Sequence, residues 1–194
     1  MHSDKLNTLE KRTAVSLASV FAIRMLGLFM LMPIMAIYGQ SLEGVSPLWI
    51  GLAIGAYGLT QAAFQIPMGW LSDKYGRRRI IVLGLVIFAI GSVIAGLAED
   101  IVTVTIGRAI QGMGAIASAV LALAADVTRE EQRPKVMAVI GMCIGLSFSV
   151  ALVLGPMVAE SFGLSGVFYL TAVLAIVGIV VVLTLVPNSV TKAK

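Results

Sequence analysis

The sequence predicts an all-α membrane protein of six transmembrane helices, and three observations carry that expectation. Of the 194 residues, 59% are hydrophobic and only 12% are charged; a soluble domain carries roughly 25% charged residues. The apolar residues gather in runs of about 20 or more, each long enough to cross a hydrocarbon core about 30 Å thick. The basic residues occupy alternate loops, the pattern of the positive-inside bias.

The expected spans, in order, are Ala14–Tyr38, Leu48–Ser72, Arg77–Leu97, Ile101–Ala125, Pro134–Val158 and Gly166–Val186. Backbone groups in lipid must be satisfied internally, so these runs are read as helices; they are too long and too continuously apolar for barrel strands. Lys5, Lys11 and Arg12 precede the first span. Lys74 and Arg77, Arg78 and Arg79 follow the second, Arg129, Arg133 and Lys135 the fourth, and Lys192 and Lys194 the last. The opposite loops hold no Lys or Arg but contain Glu43, Glu99, Asp100 and Glu160. Both termini are therefore expected in the cytoplasm. Residues 1–13 read as a cytoplasmic tail, 14–186 as the bundle and 187–194 as the start of a cytoplasmic linker or tail. The first span is long for a signal peptide and should stay as a membrane span. The net charge of +4 reflects loop topology, so no nucleic-acid partner is expected. Cys143 is the only cysteine, which excludes disulfides within the chain and cysteine metal clusters. No metal and no cofactor is expected.

The densest charge lies in "GWLSDKYGRRR", Gly69–Arg79. Positive-inside bias accounts for the arginines but not for Asp73, which sits at the negative end of its own helix dipole. Gly76 suits a tight turn, and Gly69, one turn before Asp73, offers a point of close approach. The segment reads as built to hold Asp73 against a partner outside its own hairpin.

Gly69-x-Leu71-Ser72-Asp73-Lys74-x-Gly76-Arg77-Arg78 resembles motif A of the major facilitator superfamily. Arg108-x-x-Gln111-Gly112-x-Gly114 resembles motif B on the fourth helix. Gly155-Pro156 resembles the core of motif C, the antiporter motif, although Ala159 and Glu160 stand where two glycines would follow. The resemblance, strongest to bacterial drug-efflux-type members, covers nearly the whole chain but only half of such a transporter. It implies the N-terminal six-helix bundle of that fold, a 3+3 inverted repeat, in a bacterial inner membrane. It further implies that Asp73 faces a helix start in the other half, latching the outward-open state, and that Arg77 pairs with Asp126.

Arg24 and Arg108 lie inside spans, where an unpaired charge is costly and marks a functional candidate. In the family fold both would face the central cavity, at equivalent places in the repeat; the plain alternative is hydrogen bonding to carbonyls or buried polar groups. Arg108 and Asp126, eighteen residues apart, would share a helix face with Ala115, Ala119 and Ala122 along a solvent-accessible path. Tyr57, Gln61 and Gln65 share a face of the second helix and suit either substrate or neighbouring helices. Phe21, Met25, Leu28, Met32 and Met35 form a stripe fit for a promiscuous apolar site or for ordinary packing. Pro33, Pro67 and Pro156 break helical ladders. Gly51 and Gly55 on the second helix, and Gly141, Gly145 and Ser149 on the fifth, have helix-contact spacing.

No Asp, Glu or His lies deep in a span, so a proton carrier is either Asp73 or Asp126, or lies outside this chain, or transport is not proton-coupled. Two buried arginines favour an anionic or neutral substrate. Intramembrane catalysis needs a Ser–His pair, paired aspartates or metal ligands at depth, and a channel needs a filter or charged rings; neither pattern is present. The expectation is half of a secondary transporter, a proton-coupled efflux antiporter of small lipophilic or anionic molecules, partnered by lipid, substrate, protons and a second six-helix bundle. The rival is an isolated N-terminal half that does not transport alone.

Overall fold

The computed structural model describes residues 7–186. Lys5 and the segment 187–194 with Lys192 and Lys194 lie outside the described residues. Among the described residues the chain is all helix, with one isolated parallel bridge between Glu43 and Asp100.

Helix α1 (Thr8–Tyr38) starts ahead of the expected span because Asn7 and Glu10 form a capping box, with reciprocal side chain-to-backbone bonds of 2.8 Å. Helix α2 (Pro47–Tyr75) opens on Ser46, whose hydroxyl accepts the Trp49 amide, followed by Pro47. It ends at Gly76, whose φ of +100° suits only glycine. Helix α3 (Arg77–Gly96) follows at once. Helix α4 (Ile101–Met113) is capped by Asp100, which accepts the Thr103 amide at 2.8 Å. Helix α5 (Ala117–Val127) and the long α6 (Arg133–Leu185) complete the chain.

Four helical stretches are long and apolar enough to cross a membrane: Glu10–Ser41, Arg77–Gly96, Ile101–Val127 and Glu130–Leu185. The chain is thus a multi-pass, all-α membrane protein. Two differences from the sequence reading have physical causes. Helix α2 has 29 residues, but Tyr57, Gln61 and Gln65 make it less apolar than the other four stretches. The fifth and sixth expected spans form one helical element, interrupted only at Gly163 (φ +67°, ψ −168°). That residue reverses the chain. Gly155 lies against the backbone of Met30, and Thr171 donates to the Gly27 carbonyl at 3.4 Å. Residues on either side of Gly163 therefore meet the same turn of α1, which a straight helix rising 1.5 Å per residue forbids. Pro156 is exposed and the break falls at Gly163, not at Pro156.

Helix α1 packs chiefly on α6, α2 on α4, and α3 between α4 and α6. The apolar core forms three layers. One, at the end bearing the α2–α3 turn, includes Leu17, Phe21, Ile81, Leu123 and Val182. One at the opposite end includes Ile34, Ala53, Val104, Val167 and Phe168. Between them lie Leu28, Tyr57, Phe88 and Ala175. At the second end, Glu43 clips two loops together by accepting the Ile101 amide and donating its own to the Glu99 carbonyl, both at 3.1 Å.

Candidate functional site

The α2–α3 turn gathers three helices around one guanidinium. Arg77 ion-pairs with Asp73 across Gly76, donates to the Ser72 hydroxyl at 2.8 Å, and reaches Asp126 at the end of α5 at 3.2 Å. Ser72 in turn donates to the Gly69 carbonyl at 2.7 Å. The Arg77–Asp126 pair links two helices that are distant in sequence. Within this chain Asp73 pairs inside its own hairpin, and its side chain stays 60% exposed. Gly69 lets α2 approach Ser118 of α5, where an added Cβ would stand 3.2 Å from the hydroxyl. Arg78 donates to the Leu183 carbonyl and Arg12 to that of Thr184, satisfying last-turn carbonyls of α6.

The second group lies in the middle layer of the core. Arg24 and Arg108 are each only 1% exposed, and both converge on Tyr57. Arg24 Nη2 donates to the Tyr57 hydroxyl at 3.3 Å, with the Arg24 head 5.2 Å from the Phe88 ring centroid. Arg108 stacks 4.7 Å from the Tyr57 ring centroid, and its Nε donates to the Ala53 carbonyl at 3.4 Å. Arg108 Nη1 donates to Gln111 Oε1 at 2.8 Å. Gln111 passes the chain on to the Ser92 hydroxyl at 2.7 Å, and Ser92 bonds the Phe88 carbonyl at 2.7 Å. Aromatic faces and neutral dipoles, rather than carboxylates, solvate both cations. In this chain both side chains are buried among its own helices.

Arg108 and Asp126 do not lie on one continuous helix. The helix breaks between Met113 and Ala117, because α3 presses on it: a Cβ at Gly114 would stand 2.2 Å from the Gly84 carbonyl oxygen. Ala115 and Ala119 are fully buried and Ala122 is half-buried. Gly112 meets α2 just as closely. Gln61 and Gln65 are half-buried, and their side-chain oxygens have no hydrogen-bond partner. Of the α1 stripe, Phe21, Leu28 and Met35 are buried in the core, Met25 is half-buried and Met32 is exposed. The stripe is therefore mostly packing.

Residues 17–194 match the family model described as Major Facilitator Superfamily. The chain belongs to the major facilitator superfamily. It is 50% identical over 189 residues to the inner membrane transport protein YajR of Escherichia coli K12, covering 97% of this chain and 42% of that protein. It superposes on the human organic anion transporter MFSD10 with a TM-score of 0.79 at 20% identity, covering 94% of this chain and 49% of that one. A peptide transporter solved with sulfate gives a TM-score of 0.77 at 18% identity, over 89% and 37% of the respective chains; these two likenesses concern fold. The chain thus spans about half the length of the relatives it matches. The relatives are transport proteins rather than enzymes.

Within this superfamily bundle, the motif-A-like residues build the α2–α3 turn and the motif-B-like residues build the polar chain from Arg108 to Ser92. Gly155 of the motif-C-like pair seats α6 on α1. Sequence reading missed a third polar cluster. Glu10, 1% exposed, accepts from the Arg129 amide at 3.1 Å, from its Nε at 2.9 Å and from its Nη2 at 3.0 Å, tying the start of α1 to the α5–α6 loop. Asn7-x-x-Glu10 was the available signal. Ser92, Thr60 and Phe88 carried no comparable signal.

Proposed function

We propose that this chain is the N-terminal six-helix half of an alternating-access transporter, and that it does not transport without a second bundle. The six crossings are α1, α2, α3, the α4–α5 stretch and the two arms of α6, arranged as a 3+3 inverted repeat with both termini cytoplasmic in a bacterial inner membrane. One observation carries the reading. A Cβ added at Gly51, Gly55 or Gly58 of α2, or at Gly141 or Gly145 of α6, meets nothing within 4 Å. Such stripes on apolar helices serve close backbone contact, and these have no contact in this chain. The sequence reading placed helix contacts at Gly51, Gly55, Gly141 and Gly145; the contacts within the chain fall instead at Gly84, Gly91, Gly107, Gly112 and Gly114.

In the assembled unit, Gly69, Asp73, Gly76, Arg77, Arg78 and Asp126 act as the latch. The exposed carboxylates of Asp73 and Asp126 face the partner bundle and re-pair as the halves rock. Among the described residues no carboxylate pairs with Arg24 or Arg108, which supports an anionic or neutral cargo. The Gly155-Pro156 pair, which resembles the core of the antiporter motif, supports proton-coupled efflux. Flux in proteoliposomes under an imposed pH gradient tests the reading. The chain alone gives none, and the chain assembled with a second bundle gives robust flux. Flux by the chain alone would sink the half-unit reading. Asp73→Asn in the assembled unit should slow conformational exchange, read by spin-label distances; unchanged exchange refutes the latch.

A further inference from the structure

The two buried arginines are not equivalent. Arg108 Nε and Nη1 both donate to protein acceptors, and its face rests on Tyr57. Arg24 donates through Nη2 alone. Its Nε and Nη1 are shielded and have no hydrogen-bond partner. Burying two cationic donors without an acceptor is costly. Neither arginine forms an ion pair among the described residues. The neighbours named for Arg24 cannot discharge it: Phe88 offers only a ring face, and the Tyr57 oxygen is already taken by Nη2. The same Tyr57 hydroxyl, having accepted that bond, keeps its own proton to donate.

We infer that Arg24 is the anion contact of this bundle. Its Nε and Nη1 bind a small monovalent anionic group, either a free inorganic anion or the carboxylate of a larger cargo molecule. The group is enclosed in the middle core layer by α1, α2 and α3, so it enters only when those helices part. The donor set is cationic and phenolic with no carboxylate, which selects against cations. Binding lowers the free energy of the closed bundle, because the anion supplies the counter-charge that the sequence omits. The inference deepens the anionic-cargo reading given above, but binding itself requires no transport.

The test uses the purified chain in phosphatidylcholine nanodiscs. Sodium chloride and sodium acetate are titrated against sodium gluconate at constant ionic strength, and the thermal unfolding midpoint is followed. A saturable rise in midpoint is expected with chloride, acetate or both, and none with bulky gluconate. Saturation by chloride identifies a free inorganic anion. Saturation by acetate alone identifies the carboxylate of a cargo molecule. Arg24→Gln should abolish the rise. Arg24→Lys, which keeps the charge but loses the guanidinium geometry, should weaken affinity by about tenfold. No saturable shift in the wild-type chain, or the same shift in Arg24→Gln, overturns the proposal and leaves the two nitrogens merely hydrated. If Arg24→Gln does not fold, Arg24→Lys decides, and unchanged affinity overturns it. A chain that binds the anion but gives no flux leaves this inference standing. Flux in the assembled unit without anion binding removes it and leaves the transport reading intact.

Discussion

Replacing glycines on two kinds of helix surface should have opposite effects, and Gly112→Ala against Gly145→Ala makes the contrast sharpest. A Cβ at Gly112 would stand 2.0 Å from Thr60 Oγ1 and 2.3 Å from the Tyr57 carbonyl oxygen. The second atom is backbone, so rotamer change cannot relieve it; α4 and α2 must separate by about 1 Å, which forfeits a quarter to a half of each contact across the seam. Thr60 also donates to the Ala109 carbonyl at 2.8 Å, a bond stretched by the same movement. Overpacking costs about 1–3 kcal/mol, the weakened bond about 1 kcal/mol, and the higher helix propensity of alanine returns about 1 kcal/mol. The net loss is about 1–3 kcal/mol. Gly145 has open space where its Cβ would be, so only the propensity gain of about 0.5–1 kcal/mol remains. Reversible unfolding in mixed micelles reads both. In the unit assembled with a second bundle, the gain from Gly145→Ala should vanish or reverse, since the stripe is then covered. A neutral Gly112→Ala, or a Gly145→Ala that destabilises the chain alone, would show that close glycine contact does not set the α2–α4 seam.

Three further outcomes follow from the polar contacts and the chain reversal. Arg129→Ala should destabilise more than Glu10→Gln in the same assay, by about 2–4 against 1–2 kcal/mol, because it strands a buried carboxylate while the other change leaves a neutral amide. The reverse order would mean that the clamp is not held by Glu10. The Thr103 hydroxyl and amide hold the Asp100 carboxyl below its ordinary value. Its contribution is therefore present above the unfolded-state value and lost as pH falls through the folded one. Unfolding curves in acid should lose part of their pH slope in Asp100→Asn, and an unchanged slope removes this cap from the account. Gly163→Ala should cost about 1–2 kcal/mol from its positive φ although no atom lies within 4 Å of the new Cβ; a neutral substitution would show that the reversal is not fixed there.

Membrane class and the rough limits of the apolar segments were legible because lipid imposes one requirement on every residue of a span, and composition records it directly. The turn at Gly76 was legible for a related reason. Only glycine tolerates φ +100°, so glycine between a helix-ending charge and a basic run leaves few alternatives. Helix continuity was less legible. Gly114 and Gly163 both stand where a helix stops, yet nothing local separates them from Gly107, which lies inside α4. The break at Gly114 depends on the approach of Gly84, thirty positions earlier in the chain, and no window of sequence contains both residues.

The arginines mark the same boundary more finely. Their depth was readable from position alone, and depth made them candidates. Their direction was not, because a helix buried on several sides shows no polar stripe to orient it: around Arg108, Gly107, Gln111 and Gly112 are all buried. What decides direction is the set of partners on other helices, and those partners are apolar in name. Phe88 carried no signal in the sequence, and Tyr57 was suited equally to substrate or to neighbouring helices. Their ring faces accept two guanidinium groups at 5.2 and 4.7 Å. Aromatic faces attract cations but provide no strong hydrogen-bond acceptors in the guanidinium plane. A pair of arginines cushioned in this way thus remains short of acceptors wherever carbonyls and amides do not intervene. At Arg108, Ala53 and Gln111 intervene. At Arg24 only the Tyr57 hydroxyl does, and that difference makes Arg24 the side chain on which an anionic ligand acts most directly.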